Sequence, residues 1–159
     1  MSHFQTIDRL LQETSALLNL AAIEASEDPP AWTLYWENDT VVALELDDKD
    51  ERLTMTTEIG PLPKGRELEF SRLLLEYSGL WLSTGGIRMG LLEGMVVQMH
   101  DLFPSRLEAT YLCNIIENFV TKANTWIHLF SEAREERESD TLQAEDFQLS
   151  PLMEAGIKI

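Results

Sequence analysis

One cysteine, Cys113, stands in 159 residues, so no disulfide can form within the chain and nothing points to an oxidising compartment. Bases are scarce as well: 12 Lys and Arg face 28 Asp and Glu, a formal charge of −16. That balance argues against a phosphate backbone as partner, because nucleic-acid binding needs clustered cations to displace counterions. It argues equally against an anionic membrane surface. It favours a solvated surface that attracts basic segments at long range. No apolar run approaches the ~20 residues of a bilayer span. The start, Met1-Ser2-His3-Phe4-Gln5, lacks the basic segment and apolar run of a secretory signal. The expected location is cytoplasmic. Internal repeats and low-complexity tracts are absent too.

Chemistry-bearing residues are equally thin. The three histidines, His3, His100 and His128, lie far apart with no acidic or cysteine partner at ligand spacing, so no metal site is expected. His100 beside Asp101 is at most half of an acid–base pair, and a strand-end histidine next to a turn aspartate reads as structural. Cys113 borders an apolar helical stripe, the ordinary place of an inert buried thiol. Thr84-Gly85-Gly86 has no following lysine and leads into a strand, so it is no phosphate loop. No nucleophile, base and orienting group come together. The chain does not read as an enzyme, and no cofactor is expected.

What the sequence does hold is a regular alternation of elements. Ser2 and Gln5 have the spacing of a capping box. Phe4, Ile7, Leu10, Leu11, Leu17 and Leu18 then recur at helical spacing, fading through Ala21, Ala22 and Ile23 to a stop at Pro29-Pro30. Three strands follow: residues 31–36, then 40–46 after the turn Asn38-Asp39, then 52–59 after a charged loop. Short loops and alternation make them an antiparallel meander with one buried face. A helix spans about 65–78. Phe70, Leu73, Leu74 and Tyr77 form one stripe on it, and Leu68 and Leu75 lie on the far side. Two stripes imply a partner on each side, one of them a sheet. Leu80, Trp81 and Leu82 are unusually apolar for an exit loop. Strands 87–92 and 95–99 pair across Glu93-Gly94.

Ser105 and Glu108 suggest a second capping box. It opens the longest helix, whose stripe runs from Leu112 through Phe119 and Trp126 to Phe130. Residues 132–146 carry seven acids and two bases and read as frayed or flexible, and Phe147, Leu149, Leu152, Met153, Ile157 and Ile159 form a small apolar end. The order is α-β-β-β-α-β-β-α, a single α+β domain with helices on a twisted antiparallel sheet. It divides into a domain over 1–134 and an acidic C-terminal tail over 135–159. The surplus of apolar surface, on the first helix, both faces of the second hairpin and the tail, points to protein partners. They would bind by strand addition or by a helix laid in a groove.

This arrangement resembles the class I type III secretion chaperones, the Tir chaperone or CesT family. The residues that carry the resemblance are Ile59-Gly60-Pro61-Leu62-Pro63 after the third strand, Leu73-Leu74-Leu75-Glu76 in the middle helix, and Thr84-Gly85-Gly86 leading to Gly90-Leu91. It covers about residues 3–131. Tyr77-Ser78 stands where many members carry an asparagine, and the tail is longer than the family pattern requires. The resemblance implies a cytosolic homodimer, working without ATP. It would bind the non-globular N-terminal segment of a secreted effector, polar to basic in character, and keep it soluble and secretion-competent for virulence. A regulatory member of the same fold, sequestering a secretion regulator, is the alternative reading, and a small cytosolic enzyme is a third. On the chaperone reading Leu73, Leu74, Tyr77, Trp81 and Met89 form the dimer contact. Phe4, Ile7, Leu11 and Leu18, with Met95, Val97 and Met99, line the effector grooves. Neither nucleic acid nor membrane is a partner.

Overall fold

The computed structural model describes residues 2–155, with side chains through Leu142. Helix α1 (His3–Ser15) opens with the reciprocal cap: the Ser2 hydroxyl accepts from the Gln5 amide and the Gln5 side chain accepts from the Ser2 amide, both at 3.2 Å. Ile7, Leu10, Leu11 and Thr14 form its buried stripe. The helix is shorter than its apolar periodicity suggests. Asn19 takes a left-handed φ of 52° and turns the chain back, so the residues read as a fading helix begin a strand, β1 (Ala22–Glu27). β1 lies at the sheet edge and is almost wholly exposed, which removes the alternation that would betray it.

Strands β2 (Pro30–Tyr35), β3 (Val41–Asp47) and β4 (Arg52–Pro61) continue the meander. Asn38-Asp39 closes one turn, with Asp39 at φ 63° and the Asn38 side chain accepting from the Thr40 amide. Asp47 closes the next by accepting from the amides of Lys49 and Asp50. Helices α2 (Glu67–Gly79) and α3 (Trp81–Thr84) cross over to β5 (Arg88–Leu92), which pairs with β6 (Met95–Leu102) across Glu93-Gly94. Both turn residues have positive φ, as a two-residue hairpin requires. Ser105 caps nothing: Pro104–Arg106 is a 3-10 turn, and α4 (Ala109–Ala155) starts after it. α4 also runs unbroken through the acidic stretch that composition reads as frayed. The side chains of the apolar end from Phe147 onward lie outside the described residues.

The result is a single α+β domain. Its one antiparallel sheet has the order β1-β2-β3-β4-β6-β5, with six strands rather than the five read from the sequence. Register divides its faces. Trp32, Leu44, Met55 and His100 stand in one row, while Thr33, Ala43, Thr56, Met99 and Arg88 stand in the next, on the opposite face. The first face carries the helices. Under α1 and the first half of α4 lies a core of Trp32, Leu34, Leu44, Leu53, Met55, Leu112, Ile116 and Phe119. Under α2 and the middle of α4 lies another, holding Ile59, Phe70, Leu74, Val96, Trp126 and Phe130. Edge-to-face rings build the second: Phe70 on Phe130 at 5.2 Å and Tyr77 on Trp126 at 5.1 Å. Gln98 lies on the same face and donates to the Phe119 carbonyl at 2.8 Å, fixing α4 to the sheet.

Candidate protein-interaction surfaces

One unburied apolar surface follows from the double stripe of α2. Phe70 and Leu74 turn inward, and a 13-residue helix laid on one sheet can bury only one stripe. Leu68, Leu73 and Leu75 therefore stay in solvent, Leu75 at 73% exposure. α3 adds Trp81 and Leu82, with Leu80 before it, and β5 adds Leu91; all four are exposed. Between α2 and β5 lies a cleft of about 200 Å³ whose walls include Leu62, Leu75, Met89 and Leu91. Exposed leucines in such number, with a tryptophan, are costly in water and are the usual mark of a protein interface.

Of the residues assigned to a dimer contact, Leu73 and Trp81 stand on this face, and Met89 is half-buried beneath it. Leu74 is buried in the second core. Tyr77 is half-buried with its ring edge-on to Trp126, and burial pushes its phenol above the ordinary range. Periodicity finds two stripes but not which one meets the sheet, so Leu68, Leu75 and Leu91 escaped assignment. Their signal was present in the far stripe of α2 and in the apolar character of β5.

The second surface is the helix-free face of the sheet together with its β1 edge. Arg88 grips Asp101 there with two hydrogen bonds, 2.8 and 3.1 Å, and the Thr54 hydroxyl donates to the same carboxylate at 2.7 Å. Burial pushes the Asp101 carboxyl up, but the bonds from Arg88 and Thr54 outweigh it and hold it below the ordinary range. Around this pair lie small or half-buried side chains, among them Ala31, Thr33, Ala43 and Thr56. Met95 and Met99 are half-buried here, while Val97 is buried. The Met99 methyl lies so near Gly90 that a Cβ on Gly90 would meet it at 2.8 Å.

The first-helix residues divide in the same way. Ile7, Leu11 and Leu18 are core, at 0%, 0% and 5% exposure, because the helical stripe that marks them is the one α1 lays on the sheet. Phe4 is half-buried and stacks on Trp32 at 4.7 Å, while the Trp32 indole donates to Asp8 at 3.0 Å. Leu17 is the exposed leucine at this end.

No catalytic geometry emerges among the described residues, and no three His, Cys, Asp or Glu converge there as metal ligands would. Burial draws the His100 imidazole below its ordinary value. Burial also pushes the Cys113 thiol up, away from the reactive thiolate. No described helix is long and apolar enough to cross a membrane.

Comparison with known proteins gives three results. The sequence matches the model of the Tir chaperone protein (CesT) family over residues 9–127. No curated protein sequence matches it. Solved structures share its fold. The ExsC–ExsE complex superposes with a TM-score of 0.69 at 21% identity, covering 82% of this chain and 97% of that one. The HopA1–SchA chaperone–effector complex gives 0.64 at 17% identity, over 79% and 95%. The Yersinia pestis type III secretion chaperone SycH, in complex with a stable fragment of YscM2, gives 0.59 at 23% identity, over 74% and 97%. At these identities the likeness is one of fold.

Proposed function

The chain belongs to the Tir chaperone protein (CesT) family, and from that premise we propose that it is an ATP-independent type III secretion chaperone. It acts as a cytoplasmic homodimer that binds the unfolded N-terminal segment of a cognate effector and keeps it secretion-competent. The observation that carries the reading is the unpartnered apolar face of α2, α3 and β5, set apart from an open sheet edge. Leu73, Trp81 and Met89, joined by Leu68, Leu75 and Leu91, make the dimer contact, and Leu74 and Tyr77 support it from beneath. The effector segment lies along the β1 edge and the helix-free face. Met95 and Met99 offer apolar anchors on that face beside Val97, and Phe4 and Leu17 offer them on the α1 side, backed by Ile7, Leu11 and Leu18.

The physical logic is that of coupled ordering. A disordered segment loses conformational entropy when it binds, and strand addition plus a few buried side chains offset that cost. The solved complexes named above, one of them a chaperone–effector complex, supply the parallel. Such binding needs no nucleotide, metal or nucleophile.

The test is to identify the secreted protein that co-purifies with this chain and to co-express the two, using that protein's N-terminal segment. The pair should co-purify, and the segment should stay soluble with or without ATP. A segment that is equally soluble alone, or a complex that ATP dissociates, counts against the proposal.

A further inference from the structure

Four of the chain's twelve bases, Lys64, Arg66, Arg134 and Arg137, gather where the loop before α2 meets the second half of α4. They do so in a molecule that is acidic almost everywhere else. Arg66 is committed: it binds Glu69 at 2.7 Å and Glu136 at 3.1 Å. The other three border a cleft of about 780 Å³ whose walls include Leu62, Lys64, Arg134, Arg137 and Leu142, with Glu138 on its rim.

The two arginines there lie against backbone. Arg134 donates to the Pro61 carbonyl at 3.3 Å. The Arg137 guanidinium lies against Gly65 so closely that a Cβ on Gly65 would meet its Nη1 at 2.8 Å and its Cζ at 3.0 Å. Gly65 has φ +79°, a conformation that glycine adopts without strain. A guanidinium fixed in this way loses less freedom on forming its hydrogen bonds to a carboxylate.

We propose that this cleft is a second docking site, separate from the effector surface and of opposite charge, which takes an acidic peptide segment bearing an apolar side chain. The arginines take its carboxylates, and Leu62 and Leu142 take the apolar group. A long polyanion does not suit the site, because the net charge of −16 repels whatever extends beyond the cleft. A short acidic segment interacts within a screening length of about 8 Å at physiological salt, where Lys64, Arg134 and Arg137 face it with Glu138 and Glu67 beside them. The site does not depend on the chaperone reading, and its failure would leave that reading intact.

The experiment uses the full chain and a fluorescently labelled peptide of Glu and Asp with a central Leu, read by anisotropy. The controls are a Lys-for-acid version and a single-stranded oligonucleotide. The acidic peptide should bind, and more weakly as salt rises. The pair Arg134→Gln and Arg137→Gln should weaken binding about tenfold, at about threefold for each exposed charge pair. Gly65→Ala keeps every charge but moves a guanidinium, and should weaken it several-fold. Arg106→Gln, a base outside the cleft, should change nothing. Equal loss in Arg106→Gln, no binding of the acidic peptide, or tighter binding of the oligonucleotide would overturn the proposal. So would salt-sensitive self-association abolished by the arginine pair, which would make the occupant a second copy of the chain.

Discussion

Replacing Leu75 by glutamate separates the dimer face from the core in a single substitution. The side chain is 73% exposed on the outer stripe of α2, and leucine and glutamate have similar helix propensities. The isolated chain should therefore keep its stability to within about 0.5 kcal/mol, the usual range for a surface change. In a dimer closed over this face the leucine is buried. Burying a leucine contributes about 1.5–3 kcal/mol, of which roughly two-thirds is still available at this exposure, or about 1–2 kcal/mol. The glutamate adds the cost of desolvating a carboxylate without a partner, several kcal/mol more. A loss of about 4 kcal/mol corresponds to roughly a thousandfold in the dissociation constant. Sedimentation equilibrium should find a dimer for the parent and a monomer for Leu75→Glu, with superimposable thermal melts once concentration dependence is removed. A variant that remains dimeric would refute the assignment of this face. A variant that unfolds would refute the claim that Leu75 lies outside the core.

Three further outcomes follow from the packing. Phe130→Ala removes a fully buried ring that meets both Phe70 and Trp126, and should cost about 3–5 kcal/mol in urea unfolding. His100 has its imidazole drawn down by burial, so the unfolded chain takes up the proton first. The stability this group contributes is complete above about pH 6.5 and falls as pH drops below it. The parent should therefore lose more stability between pH 7.5 and 5.5 than His100→Gln, as urea midpoints would record. Cys113, buried and with its thiol pushed up, should resist iodoacetamide in the native protein and react once the chain is unfolded.

Much of the fold was legible because local chemistry and tertiary role coincide. The Ser2–Gln5 cap, the turns at Asn38-Asp39 and Glu93-Gly94, and the stripes of α1 and α4 all agree with the structure. The misreadings share a cause: each depends on something that local pattern does not carry. Leu17 and Leu18 prolong the helical spacing, yet Asn19 reverses the chain, and β1 is too exposed to alternate. Ser105 has the right spacing for a cap, but Pro104 starts a 3-10 turn instead.

The acidic stretch shows a conflict between composition and propensity. Its charge suggests disorder, but Glu, Arg, Gln, Leu and Ala are good helix formers. Contacts from Arg134 to Pro61 and from Glu136 to Arg66 tie the start of the stretch to the domain. The α2 stripes were both visible, but only the fold decides which is inside. That decision moved Leu74 and Tyr77 to the core side and left Leu68 and Leu75 in solvent.

The most direct test of the central claim, a dimer that holds an effector segment in extended form, is hydrogen exchange combined with native mass spectrometry. It would be made on the chain with the N-terminal segment of the secreted protein that co-purifies with it. The complex should hold two chains and gain protection along β1 and in the bound segment, with the exchange of α2 unchanged from the free dimer. A complex with a single chain, or protection confined to α2 and β5 with β1 unchanged, would contradict it.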